Sequence, residues 1–171
     1  PQIDPHNWRM FTNPPKKLLK PIGKALTEFA MIRPGDRLLT AVSGGKDSLS
    51  LLHALHHFQA HAPIDFAIGA VTIDPQSEDF DPSSLQDYMR HLGIDYHYVC
   101  EPIVELADKH MQRDSFCAFC SRMRRGLMYK TARDAGYNVI ALGQHLDDLA
   151  ESFLMSALHG GKLKTMKAHY V

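Results

Sequence analysis

Six consecutive residues, Ser43-Gly44-Gly45-Lys46-Asp47-Ser48, combine glycines, a lysine and hydroxyls in an order suited to holding an anion. Glycine lets the backbone pass close to a ligand with its N–H groups turned inward. The string follows a short apolar run, Arg37 to Val42, and precedes the helical spacing of Leu49, Leu51, Leu52, Leu55 and Phe58. It therefore joins a strand to the N-terminus of a helix, where partial positive charge from the backbone adds to the full charge of Lys46. Ser43 and Ser48 can donate further hydrogen bonds. The string is not a Walker loop: Thr40 stands where that pattern needs its first glycine, and Asp47 follows the lysine in place of Ser or Thr. The bland alternative is a glycine turn with an exposed lysine.

A second group is Cys117-Ala118-Phe119-Cys120, followed by Ser121-Arg122-Met123-Arg124-Arg125. A lone C-x-x-C fits half a zinc site, part of an iron–sulfur site, a redox dithiol or two incidental cysteines on a helix. The chain has three cysteines and no second C-x-x-C, so a four-cysteine zinc site is unavailable within it. A cluster with three protein cysteines would leave one iron open to an exogenous sulfur. Cys100 is a candidate third ligand, but its strand position predicts burial as a small hydrophobe. Arg122, Arg124 and Arg125 offer planar forks for phosphate oxygens, or simply a solvated helix face. Lys162 and Lys164 add a second basic stretch. Phe116, Phe119 and Tyr129 are placed to stack on an unpaired base or to fill a core.

Acids supply the third group. Asp74 ends an apolar run, where its carboxylate can meet a ribose or a magnesium shell, or form a turn before Pro75. Gly143-Gln144-His145-Leu146-Asp147-Asp148 follows another strand. Asp147 and Asp148 fall at a helix start, where capping alone would favour them. Adjacent helical residues point about 100° apart, so one of the two is expected to face a site and hold Mg2+; Asp147 is preferred. His57 and His61 have metal-pair spacing but lack the zincin glutamate, and read as surface or satisfied histidines.

The loop is the signature of the PP-loop ATP pyrophosphatases, which split ATP into AMP and pyrophosphate while adenylating an oxygen. Taken with Asp114 to Gly126, Ala141 to Asp148 and His159 to Lys167, the chain resembles the tRNA 2-thiocytidine synthetase (TtcA) family over nearly its whole length. The resemblance implies an adenine nucleotide alpha-hydrolase-like, Rossmann-like fold. It also implies an ATP-dependent thiolase that replaces the C2 oxygen of an anticodon-loop cytidine with sulfur. ATP, Mg2+ and a [4Fe-4S] cluster would be its cofactors, with Cys117 and Cys120 as cluster ligands and a third cysteine beyond Val171. Lys46, Asp47 and Asp147 become catalytic candidates. Ser43 to Ser48, Asp74, Gly143 and His145 would bind nucleotide, and Arg122, Arg124, Arg125, Lys162 and Lys164 would bind tRNA. Related thiolases carry a lysine in the helix after the cysteine pair; Arg124 or Arg125 stands in that region here. The implied partners are tRNA, a sulfur donor (sulfide or a cysteine desulfurase persulfide) and a second copy in a homodimer. The rivals are another PP-loop adenylating tRNA enzyme and a non-catalytic iron–sulfur or redox RNA-binding module.

These residues need a scaffold, and the chain supplies one. Helical apolar spacing covers Pro15 to Met31. Strands are expected at Arg37–Val42, Phe66–Ile73, Tyr96–Cys100 and Asn138–Leu142. Helices are expected after the phosphate loop, from Asp81 to His91 with a stop at Gly93, from Cys117 to Ala135, and from Leu146 to Leu158. Such alternation predicts an α/β fold, a doubly wound, mostly parallel sheet with helices on both faces and ligands beyond the strands' carboxyl ends. Residues 33–160 would form the ATP-binding domain, 1–32 an N-terminal helical or extended segment, and 161–171 the start of a C-terminal region.

Composition agrees. At 171 residues, 44% hydrophobic and 22% charged, the chain is of globular type and long enough for one domain. Basic and acidic residues balance at 19 each, so any nucleic-acid affinity must come from a local basic face rather than from net charge. No apolar run reaches membrane-span length and no signal-peptide core opens the chain, which gives a cytoplasmic expectation.

Overall fold

The computed structural model describes residues 14–77, 80–110, 116–161 and 163. Four strands, β1 (Arg37–Ala41), β2 (Ala67–Asp74), β3 (Asp95–Cys100) and β4 (Val139–Ala141), form one sheet in the order β3-β2-β1-β4. Every pairing is parallel, with Thr40 opposite both Ala70 and Ala141. Helix α1 (Lys16–Glu28) precedes the strands, and α2 (Lys46–His61), α3 (Ser83–Leu92), α4 (Ile103–His110), α5 (Phe116–Asp134) and α6 (Leu146–Gly160) connect or follow them. The expected α/β architecture is the one observed.

The two faces of the sheet follow from the period-2 alternation of strand side chains. Leu38, Val42, Ile68 and Ala70 face one way and pack with Leu52, Leu55, Leu85, Tyr88 and Met89 of α2 and α3. Leu39 and Val71 face the other way and pack with Ala132 of α5 and with Tyr137. A smaller cluster joins Ile103 and Ala107 of α4 to Cys120 of α5. Gly93 takes a left-handed φ of 67° after α3, the conformation a helix stop requires.

One helix lies outside the expectations. Between β3 and α5 the chain forms α4, a segment only 8 residues long. Its buried side, Ile103 and Ala107, has i, i+4 spacing, but one such pair is too short a pattern to stand out in sequence.

In contrast to the helices over the sheet, α6 has no buried residue, and Leu146 and Leu158 are each 77% exposed. No helix among the described residues is long and apolar enough to cross a membrane.

The strand order reverses direction between β1 and β4. In doubly wound sheets that switch point opens a crevice past the strand ends. The loop after β1 and the loop after β4 carry the two nucleotide motifs, so the fold brings together segments about 100 residues apart in sequence.

Candidate functional site

The loop after β1 is anchored at its root. The Val42 N–H donates to the Val71 carbonyl at 2.8 Å, and the Thr72 hydroxyl donates to the Val42 carbonyl at 2.7 Å. Gly44 then takes a φ of +83°, which a side chain would strain. Gly45 occupies the N-cap of α2. Lacking a side chain, it cannot cap the first-turn amides, which leaves those donors for a ligand.

The two serines brace this cradle from inside. The buried Ser48 hydroxyl donates to the Gly45 carbonyl at 2.9 Å and accepts from the Ser43 N–H at 3.2 Å. The Ser43 and Ser48 hydroxyls lie 3.3 Å apart. Ser48 therefore has its single proton engaged within the loop, while exposed Ser43 and Lys46 face solvent.

A cleft of about 610 Å³ opens over the loop. This is within the range of small-molecule sites. Its floor is apolar (Ala41, Val71, Ile73), and its polar side carries Ser43, Gly45, Asp47 and Ser48. Gly143 and Gln144 close one end, and Pro75, Ser77 and Phe80 another. Ser121, Arg124, Arg125 and Met128 of α5 form the facing wall. Phe80, Ser77 and Met128 were not singled out from the sequence. They carry no motif signal, and only the folding of distant segments onto one crevice brings them in.

The helix bearing the cysteine pair thus reaches the phosphate loop through its arginines. Arg124 and Arg125 line the same cleft as Ser43 and Gly45, while Arg122, expected to act with them, does not. Cys120 is buried against α4, and Cys117 lies one turn earlier on α5, its side chain outside the described residues. Lys162 and Lys164 also lie outside the described residues.

Cys100 departs from its expectation. It is exposed rather than buried, and its Sγ accepts a hydrogen bond from Gln76 Nε2 at 3.1 Å. The reason is its place at the end of an edge strand, β3, whose alternate positions face outward.

Asp74 is buried and fully occupied in its own turn. Oδ1 accepts the Gln76 N–H at 2.7 Å, and Oδ2 accepts the Tyr98 hydroxyl. It does not line the cleft, although its neighbours Ile73 and Pro75 do. The turn-forming role raised from sequence is the one its contacts display.

At the start of α6 the two acids separate. Asp148 Oδ2 accepts the His145 backbone N–H at 2.8 Å, completing a capping box with the His145 side chain. Asp147 is exposed, and no hydrogen bond to it is found among the described residues. Asp148 therefore caps, and Asp147 is left available. The His145 ring stands between two carboxylates, with Nε2 3.7 Å from Asp47 Oδ1 and Nδ1 3.4 Å from Asp148 Oδ2.

Gly143 fixes the distance between the two loops. A β-carbon built on it would lie 2.9 Å from the carbonyl carbon and oxygen of Asp47 and 3.0 Å from Ser48 Cα. The sequence suggested a glycine for close approach. The structure shows that what approaches is the first turn of α2.

His57 and His61 stack with ring centroids 4.2 Å apart, and the His61 Nδ1 is 2.7 Å from the His57 carbonyl. No group of three or more His, Cys, Asp or Glu suited to a metal ion is found among the described residues.

Comparison with known proteins follows the same lines. Residues 16–170 match the model of the PP-loop domain. The chain is 42% identical over 157 residues to the tRNA-cytidine(32) 2-sulfurtransferase of Psychromonas ingrahamii, covering 91% of this chain and 51% of that protein. It is 40% identical over 152 residues to the enzyme of the same name from Neisseria meningitidis serogroup A, covering 88% and 48%. The chain thus spans about half the length of the curated relatives it matches. Among solved structures, the U34-tRNA thiolase NcsA from Methanococcus maripaludis, determined with its [4Fe-4S] cluster, superposes with a TM-score of 0.67 at 21% identity. That superposition covers 90% of this chain and 51% of NcsA, and it supports the shared fold.

Proposed function

The chain belongs to the PP-loop family, and from that membership we propose that it is the ATP-binding part of a tRNA thiolase that converts a cytidine to 2-thiocytidine. One observation carries the reading. The uncapped N-terminus of α2 faces, across a single cleft, the arginine side of the helix that bears Cys117 and Cys120; Lys46 is exposed beside that cleft and does not line it.

The chemistry asks for two steps. The C2 oxygen of cytosine attacks the α-phosphorus of ATP, the bond to the β-phosphate oxygen breaks, and pyrophosphate leaves. Backbone amides of the loop and the cleft arginines are placed to stabilise charge on that pyrophosphate, and Lys46, exposed beside the cleft, would add its charge from the rim. Sulfide then attacks C2, the C–O bond breaks, and AMP departs with the oxygen. The apolar floor of Ala41, Val71 and Ile73, together with Phe80, suits the adenine ring.

Mg2+ commonly rides on phosphates with one or two protein carboxylates, so a preformed cage is not needed. Asp47, which lines the cleft, and exposed Asp147 are the acids suited to that role, where the ion would neutralise phosphate charge. The iron–sulfur assignment stands differently. Cys117 and Cys120 supply two thiolates, and no third ligand joins them among the described residues, so the donor set present is incomplete for a cluster. The steps above therefore use no cluster. Exposed Arg122 is placed to meet RNA phosphate outside the cleft.

The test is mass spectrometry of tRNA nucleosides after anaerobic incubation of the protein at the length of its relatives with tRNA, ATP, Mg2+ and sulfide. ATP-dependent 2-thiocytidine with stoichiometric AMP is expected. Transfer of AMP onto tRNA with release of pyrophosphate but no thionucleoside would instead favour another adenylating tRNA enzyme, and no ATP turnover would favour a binding module.

A further inference from the structure

We infer that His145 is a positioning residue: its imidazole sets the orientation of Asp47 at the mouth of the phosphate loop and ties it to the capped start of α6. The inference rests on the ATP-binding reading above and adds to it the device that orients a carboxylate inside an anion site.

An aspartate in that place needs an explanation. Asp47 lies in the first turn of α2, beside the amides that would grip phosphate, and it lines the cleft. A carboxylate free to swing toward a triphosphate would repel it, whereas one held to the side could instead meet the accompanying cation. His145 is the group that holds it. Nε2 stands 3.7 Å from Asp47 Oδ1 on the α6 side of the carboxylate, beyond hydrogen-bond length but close enough for an Nε2–H to attract that oxygen.

The ring is itself fixed from behind. Its Nδ1 lies 3.4 Å from Asp148 Oδ2, and the same oxygen accepts the His145 backbone N–H at 2.8 Å. The cap therefore fixes the residue at its main chain and its side chain together. Gly143, two residues earlier, brings the two loops so close that Asp47 and His145 meet without an intervening group. His145 does not itself line the cleft, so its effect on nucleotide is exerted through Asp47.

Each contact is half-exposed, and isolated pairs of this kind are weak. A loss of about fivefold in affinity is therefore expected, equivalent to roughly 1 kcal/mol.

A double-mutant cycle on ATP affinity in the presence of Mg2+ tests the assignment. His145→Ala should weaken binding about fivefold. His145→Gln, whose amide can still donate toward Asp47, should recover most of it. In an Asp47→Asn background, His145→Ala should cost nothing further. Melting temperatures are read alongside, and if His145→Ala proves unstable, the comparison of His145→Gln in both Asp47 backgrounds carries the test. Losses that multiply in the two backgrounds, or unchanged affinity in His145→Ala, would overturn the positioning role while leaving ATP binding intact. A wild-type chain that fails to bind ATP at all would overturn the functional reading and the role of His145 together.

Discussion

Gly143 sits against the main chain of Asp47 with no room for a methyl group between them. The obstructing atoms are backbone, at 2.9 Å, and cannot rotate away. Gly143→Ala should therefore push the loops after β1 and β4 apart. We expect destabilisation of about 1–3 kcal/mol, of the size seen on overpacking a filled site, visible as a lowered denaturation midpoint. ATP affinity should fall with it, because the displaced atoms belong to the first turn of α2.

Lys46 is exposed at the opening of that turn. Lys46→Ala should leave the melting temperature almost unchanged and reduce ATP affinity by roughly 10- to 100-fold, the value of a charged hydrogen bond to phosphate. Equilibrium binding with a fluorescent ATP analogue would measure it. Retained affinity would remove the loop from the site.

The arginines of α5 should divide by position. Arg124→Ala and Arg125→Ala are expected to weaken ATP binding, since both line the cleft. Arg122→Ala, outside the cleft, should spare ATP and weaken tRNA binding, with a shallower dependence on salt. Filter binding at several salt concentrations separates the two effects. Equal losses of ATP affinity in all three would contradict the division.

A pH effect on stability should come from the middle of α2. His53 is buried and hydrogen-bonded to the Tyr88 hydroxyl, and burial, with a smaller contribution from neighbouring His56, pulls its pKa down to about 4. The unfolded chain would protonate this ring near its ordinary value of about 6.5. Below that value the unfolded state binds the extra proton, so stability is full above about pH 6.5 and is lost as pH falls toward 4. The ceiling of the loss is roughly 3 kcal/mol. Urea denaturation from pH 7.5 to pH 4 should show the slope, and His53→Phe should flatten it.

How much of this was readable beforehand depends on the range of the interactions involved. The four strands, the stop at Gly93 and the helix after Leu146 follow from local periodicity and turn chemistry, and all appear where expected. The short α4 did not show itself, because four apolar residues within two turns, Ile103, Val104, Leu106 and Ala107, are too short a stretch to fix a period. Asp148 as a cap was an open alternative that only its hydrogen bond to His145 decided. The exposure of Cys100 depends on which strand forms the sheet edge, and that is a property of the strand order rather than of Tyr96 to Cys100. Arg124 and Arg125 were legible as charge, but their direction was not. It is set by which side of α5 buries Cys120 and Ala132.

The phosphate loop leaves β1, and β1 is bonded on both sides, to β2 and to β4. Amides of such an interior strand should exchange with deuterium only through the rarest openings, while those of the edge strand β3 exchange sooner. A ligand arriving at Gly44 to Lys46 therefore meets a seat whose root is already immobile. Added nucleotide should slow deuterium uptake at the loop and the first turn of α2 and leave the uptake of Leu38 to Thr40 as it was. The energy of binding then goes into contacts with the ligand instead of into ordering the receptor.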